Sequence, residues 1–420
     1  MILKIISALL SEKFLAKSLK KIKRFFKTFF RKLVRFLDVV ISYLPKKLCR
    51  WVIPVQNDRI VFMTNTFNYT CNPKYICEKL LEQNIDCKIF WITDNVKAKR
   101  HTFPPDVKLL KIGTISCFKA VYSAKVWIDN GIAFSQYFDK KKNQVHIQTM
   151  HGSLGIKRLD NAVLSRNQRG FFGRRIVKRE TKNTDLVLTN SLFEENVFRT
   201  VFWKDTPMLR LGHARTDILF SEDERLIKHL RQRVCEKYGI PYNKRFVLYG
   251  PTHRRGMTLG NLNIDFARLV QELEEKFHQE YVVLYRLHNR NAAMGKKIGV
   301  EGLVYNATSY PDMQELMLIS DIAITDYSSW IYDYVLTKKP GFIYATDLAR
   351  YNNVTGLYYP LEETPFPVCY NNETLMESVR NFDQAEYEHK VQAFLDEKQA
   401  VDDGHAAERI VEEIVRRMQA

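Results

Sequence analysis

RFVLYGPT (245–252) and DIAITDYSSWIYDYVLTKKPGFIYATD (321–347) decide the fold between them. RFVLY, DIAIT and GFIYA are short blocks of β-branched and aromatic residues, and each is bounded by Gly, Pro, Asp or Ser. A continuous apolar run closed by turn residues is the pattern of a strand buried on both faces, which is the condition of a parallel sheet packed between helices. The stretch SSWIYDYVLTKK (328–339) reads as the helix that connects two of these strands. Outward from it, IDFARLVQELEEKF (264–277) and PDMQELMLIS (311–320) read as helices, and YVVLYRLH (281–288) and LVYN (303–306) as strands. The same alternation fills the other half of the chain. RIVFM (59–63), CKIFWIT (87–93), KVWID (125–129), VHIQT (145–149), LVLTN (186–190) and MLRLG (208–212) are strands, with helical stretches over 73–83 and 114–124 and another capped by Ser191. The fold class expected is therefore α/β, with two doubly wound Rossmann-like domains, 55–220 and 221–420, facing a cleft. Ligands of such sheets sit where strand carboxyl ends meet helix N-termini.

At 420 residues, with 45% hydrophobic and 12% aromatic residues, the chain carries enough apolar surface for about two cores, which excludes a disordered protein. Its seven cysteines include no CxxC pair, and an odd number cannot all pair within one chain, so a reducing compartment and no zinc site are expected. The net charge is +18, of which residues 1–50 hold +12. Leu15, Leu19, Ile22, Phe26, Phe29, Leu33, Phe36 and Val40 form one helical stripe, with Lys20, Lys21, Lys23, Arg24, Lys27, Arg31 and Lys32 beside it. Lys4, Glu12, Lys13 and Lys17 interrupt the first stretch, which leaves no apolar run long enough to span a bilayer. A basic amphipathic helix with a Phe stripe suits an anionic membrane surface, where Phe26 and Phe29 enter the acyl boundary and the cations meet headgroups. A nucleic-acid arm has no need of the Phe stripe, and no nucleic-acid partner is expected. The alternative reading of this segment is a helix packed on its own domain.

The chemistry-bearing residues gather just after strands. His151-Gly152-Ser153 follows VHIQT, Thr252-His253-Arg254 follows RFVLYGP, Arg286, His288 and Arg290 end YVVLY, and Asp326-Tyr327-Ser328-Ser329 follows DIAIT. Two hydroxyls before a helix form either an anion site or an ordinary cap. Arg254 and Arg286 neutralise a diphosphate or make surface ion pairs, and His253 and His288 donate to phosphoryl oxygens or are structural. His151, beside a glycine at a strand end, is suited to act as a base on a hydroxyl. The chain has no GxGxxG, GxxxxGK[ST], HExxH or GxSxG signature, and so it lacks the marks of dinucleotide oxidoreductases, P-loop ATPases, zinc hydrolases and serine hydrolases. Group transfer from a nucleotide-activated donor, with no cofactor, is what remains.

HGSLGIK (151–157), GHARTDILF (212–220), YGPTHR (249–254), YRLH (285–288) and DMQELMLISDIAITDYSSWIYDYVLTKKPGFIYATDLARY (312–351) resemble the CDP-glycerol glycerophosphotransferases, which make teichoic-acid and capsule polymers. The resemblance runs through about 145–360 and implies a GT-B type fold of two Rossmann domains. It implies His151 as the base on the acceptor hydroxyl. Arg254, His288, Ser328 and Ser329 would hold the donor diphosphate, and Asp326 and Asp333 would organise that loop or the nucleotide. His253 and Arg286 join the donor set, and His288 joins His151 as catalytic through the charge it stabilises. The expected reaction transfers glycerol or ribitol phosphate from CDP-glycerol or CDP-ribitol to a hydroxyl of a glycan, polyol-phosphate or lipid-linked acceptor. It would take place at the cytoplasmic face of the membrane, with the enzyme peripheral and CMP released. The alternative is a GT-B glycosyltransferase that uses another nucleotide sugar.

Overall fold

The computed structural model describes residues 44–152, 154, 155, 158, 171–252, 263–287, 300–354 and 356–420. Two all-parallel sheets organise them. The first contains β1 (Gln56–Met63), β2 (Lys88–Thr93), β3 (Lys108–Lys111), β4 (Ala124–Asp129), β5 (Val145–Gln148), β6 (Leu186–Thr189) and β7 (Met208–Arg210), in the order β3-β2-β1-β4-β5-β6-β7. The second contains β8 (Arg245–Tyr249), β9 (Tyr281–Tyr285), β10 (Val304–Asn306), β11 (Ile322–Thr325), β12 (Gly341–Tyr344) and β13 (Val368–Cys369), in the order β10-β9-β8-β11-β12-β13. Each order reverses once, between β1 and β4 and between β8 and β11, so each sheet has one crevice at its carboxyl end.

The apolar runs read as strands are strands because both faces are covered. Ile60, Val61, Phe62 and Met63 of β1 are all fully buried, and successive side chains point to opposite faces. Ile60 and Phe62 enter one core with the helix Cys71–Glu82. Val61 and Met63 enter another with the helix Ile115–Ser123. The core beneath Ile60 and Phe62 is completed from the far end of the chain, by Ala406, Ala407, Ile410, Val411, Ile414 and Met418 of the last helix, Ala406–Gln419. That helix lies on the first sheet and not on the second. Its start is fixed by Asp217, whose carboxylate accepts from the backbone N–H groups of Ala406 (3.0 Å) and Ala407 (2.6 Å).

The two sheets are also joined by buried charge. Lys74, on the helix Cys71–Glu82, pairs with Asp312 and with Glu315 (3.3 Å), and the Tyr75 hydroxyl donates to Asp312 (3.1 Å). Burial alone would weaken the Lys74 ammonium, but Asp312, Glu78 and Glu315 outweigh it and hold the group above the ordinary lysine value. A short helix over 44–52 precedes β1. Its Cys49 is buried while Leu44, Leu48, Trp51 and Val52 stay exposed, Trp51 at 88%.

Candidate active site

β5 ends at Gln148, and the next three residues leave the sheet in a backbone that is fixed from several sides. Met150 has φ +49°, a left-handed conformation that costs a non-glycine residue of order 1–3 kcal/mol and persists only when its surroundings impose it. They do. Thr149 donates through its N–H and its hydroxyl to the Asp129 carbonyl (both 2.9 Å), Gln148 Oε1 accepts from Met150 N–H (2.9 Å), and Asn72 Nδ2 donates to the carbonyls of Thr149 (3.0 Å) and Met150 (3.3 Å). The bend brings His151 to the surface with its Nδ1 2.5 Å from the Asn130 carbonyl. A carbonyl only accepts, so Nδ1 carries the proton and Nε2 is the ring's basic nitrogen.

The chain after His151 crosses to the second sheet. Leu154 is fully buried in the second sheet's core, and its carbonyl accepts from the Tyr359 hydroxyl. Gly155 lies directly on Ser329, and a Cβ built there would come within 2.6 Å of the Ser329 Cβ. The loop that carries His151 and the loop that carries the serine pair are therefore in contact.

On the other side of this contact are the strand ends that border the crevice of the second sheet. Asp326, after β11, accepts on Oδ1 from the N–H of Thr252 (2.8 Å), after β8, and from Tyr327 N–H (2.6 Å), and so ties the two strand ends together. The Thr325 hydroxyl (2.7 Å) and the Trp330 indole N–H (2.9 Å) both donate to the Gly250 carbonyl. A Cβ at Gly250 would lie 2.7 Å from the Trp330 ring, so only glycine admits that indole. The Thr252 hydroxyl is buried there with no partner among the described residues. Ser328 and Ser329, which follow Asp326 and Tyr327 in the chain, are half-buried.

The segment read from sequence as one helix over 328–339 is shorter. It makes a single α turn, Ile331–Tyr334, and then 3-10 helix over Val335–Thr337 before Lys338 turns left-handed at φ +56°. The residue at its cap is Trp330, held by its indole bond to Gly250, and neither serine side chain caps it.

Asp333, on that turn, is buried and engaged by Arg215. Arg215 Nε lies 2.7 Å from Asp333 Oδ2 and Nη2 lies 3.0 Å from Oδ1, while Nη2 also donates to the Gly152 carbonyl (2.5 Å). Burial disfavours the Arg215 charge, but Asp333 more than restores it, and the guanidinium is held above its ordinary value. Arg286 donates to the Tyr310 (3.1 Å) and Pro311 (3.4 Å) carbonyls, and burial lowers its pKa. His253, Arg254 and His288 lie outside the described residues, as do Lys20, Lys21, Lys23, Arg24, Phe26, Lys27, Phe29, Arg31 and Lys32. The structure thus brings His151, Asp326, Ser328, Ser329 and Asp333 to one junction. Sequence reasoning missed Asn72 and Arg215. Arg215 is the one arginine or lysine of GHARTDILF, and that lone cation was the available signal; Asn72 gave none.

Residues 46–416 match the family model described as CDP-Glycerol:Poly(glycerophosphate) glycerophosphotransferase. A teichoic acid poly(glycerol phosphate) polymerase of Staphylococcus epidermidis is 29% identical over 404 residues, covering 91% of this chain and 54% of its own. A polymerase of the same name from Bacillus spizizenii is 25% identical over 397 residues, covering 91% and 97%. The chain spans about half the length of the first of these, and 49% of a third such polymerase, from Bacillus subtilis. A solved structure of the wall teichoic acid polymerase TagF is 27% identical and superposes with a TM-score of 0.77, covering 93% of this chain and 98% of that one.

Proposed function

The chain belongs to the CDP-glycerol:poly(glycerophosphate) glycerophosphotransferase family, and on that premise we propose that it transfers a polyol phosphate from a CDP-activated donor to a hydroxyl of a teichoic-acid, capsule or other glycan acceptor. The observation that carries the reading is the meeting of two loops: one presents a tautomer-fixed histidine, and the other a pair of serines at the crevice of the second sheet. His151 Nε2 takes the proton of the acceptor hydroxyl as its oxygen attacks the β-phosphorus. The P–O bond to the α-phosphate breaks, CMP leaves, and a phosphodiester remains. Ser328, Ser329 and the buried Thr252 hydroxyl face the diphosphate, and Arg254, His253 and His288 complete its binding and the stabilisation of its charge. Asp326 acts by holding the strand ends, and Asp333 through Arg215. The arrangement of the two units is of GT-B type, with the donor on the second and the acceptor on the first.

The reading extends to a peripheral position at the cytoplasmic membrane face. The exposed Leu44, Leu48, Trp51 and Val52, with Lys46, Lys47 and Arg50 among them, support it, as does the +12 charge of residues 1–50. Among the described residues no helix is long and apolar enough to cross a membrane. A donor screen tests the function. CDP-glycerol, CDP-ribitol and UDP- or CMP-sugars are offered with a polyol-phosphate-primed acceptor, and CMP and the mass of the product are measured. CMP release with a product heavier by one polyol phosphate is expected, and release of UDP with a glycosidic product would overturn it.

A further inference from the structure

We propose that Arg215 is a positioning residue that sets the separation of the two halves of the active site, with one guanidinium nitrogen on the Gly152 carbonyl next to His151 and its fork on Asp333, four residues beyond Ser329. The inference rests on the function proposed above. Its physical basis is the placement of a single rigid group. Arg215 is 2% exposed, and its own backbone N–H donates to Asn72 Oδ1 (3.1 Å). Asn72 is the residue that clamps the carbonyls of Thr149 and Met150. The base-bearing turn is thus held from two directions by Asn72 and Arg215, and Arg215 alone of the two continues into the second sheet's loop. Gln314 Nε2 lies 3.4 Å from the same carboxylate oxygen that Arg215 Nε engages, so Asp333 is fixed from its own side as well.

Stability alone does not account for this pair. A buried ion pair seldom repays the desolvation of its charges relative to apolar packing. The same interface is already tied by Lys74 to Asp312 and by Leu154 in the second core. What the pair adds is orientation. A planar fork spans both oxygens of Asp333 and reaches the Gly152 carbonyl at once, which a lysine ammonium, a point donor on a flexible stem, does not reproduce. An error of about 1 Å in the placement of reacting groups costs on the order of 100-fold in rate.

The test is Arg215→Lys, which keeps the charge and loses the fork. Turnover at saturating CDP-glycerol and acceptor should fall by about 100-fold, while calorimetric affinity for CDP-glycerol stays within about twofold of wild type. Hydrogen exchange should rise together in peptides covering 149–152 and 329–334. A merely structural Arg215 would lower the melting temperature and leave turnover per folded molecule unchanged, with faster exchange confined to 214–220; that result overturns the proposal. Should the lysine variant not fold, Asp333→Asn carries the same expectations. If the wild-type chain turns over no CDP-polyol, the proposed function fails, and the exchange measurement still decides whether Arg215 couples the two loops.

Discussion

His151 owes its chemistry to its neighbours. The Asn130 carbonyl fixes the proton on Nδ1, the left-handed Met150 turns the ring out of the sheet, and Asn72 keeps that turn from relaxing. A general base contributes typically about 10²- to 10⁴-fold, so His151→Ala should lose turnover in that range while donor affinity holds. A stable, donor-binding variant with near-normal turnover would remove the base assignment. The serine pair makes a different prediction. On the proposed function, Ser328→Ala with Ser329→Ala removes diphosphate contacts worth about 1–3 kcal/mol, which calorimetry with CDP-glycerol should register as about 5- to 150-fold weaker binding. Neither serine caps the Ile331–Tyr334 turn, so the melting temperature should stay put. A fall in melting temperature with donor affinity intact would show the serines to be structural.

Most strands and their carboxyl ends were legible in the sequence because a strand buried on both faces needs an unbroken apolar run, and Ile322–Thr325 and Tyr281–Tyr285 are such runs, whereas the short edge strands Lys108–Lys111 and Val368–Cys369 went unread. Strand-end residues then had only one place to be. Three further things were not legible. The helical pattern over 328–339 gave no sign that Trp330 would turn back onto Gly250 and leave a single turn. The last helix, Ala406–Gln419, went unread, and periodicity does not say which sheet its stripe of Ile410, Val411, Ile414 and Met418 covers. Arg215 and Asp333 are 118 residues apart, and no local pattern pairs them. Asp217 shows how a long-range element is fixed and carries a pH prediction. Burial raises its carboxyl to about 6 from 3.8, against the opposing pull of the Ala407 and Ala406 N–H groups. The folded state therefore binds this proton more tightly than the unfolded chain. Its contribution to stability is greatest below about pH 4 and declines as pH rises through about 6, by about 3 kcal/mol in all. Asp217→Asn cannot titrate. Between pH 4 and 6 wild-type stability should fall relative to the variant and run parallel to it above, and a constant difference across that window would exclude the shifted carboxyl.

At the scale of the whole molecule, the two sheets are joined by Leu154, Lys74 and Arg215, and two thirds of the charge excess falls in the first 50 residues of the sequence. On the proposed function, a soluble donor and a surface-bound acceptor must meet at one site. A +12 segment followed by a helix with Leu44, Leu48, Trp51 and Val52 exposed offers a bilayer both an electrostatic and an apolar contact. The two contacts respond differently to salt. The Coulombic part is screened over about 8 Å at physiological ionic strength, while the apolar part is not. Flotation of the full chain with vesicles containing phosphatidylglycerol should therefore weaken as salt is raised and level off above zero. A chain beginning at Trp51 should float far less at every salt concentration, and Leu48→Ser with Trp51→Ser in the full chain should lower the salt-resistant plateau while leaving the salt-sensitive part. Equal flotation of the full and shortened chains would take the membrane role away from this segment and leave the acceptor as the route by which the enzyme reaches the membrane.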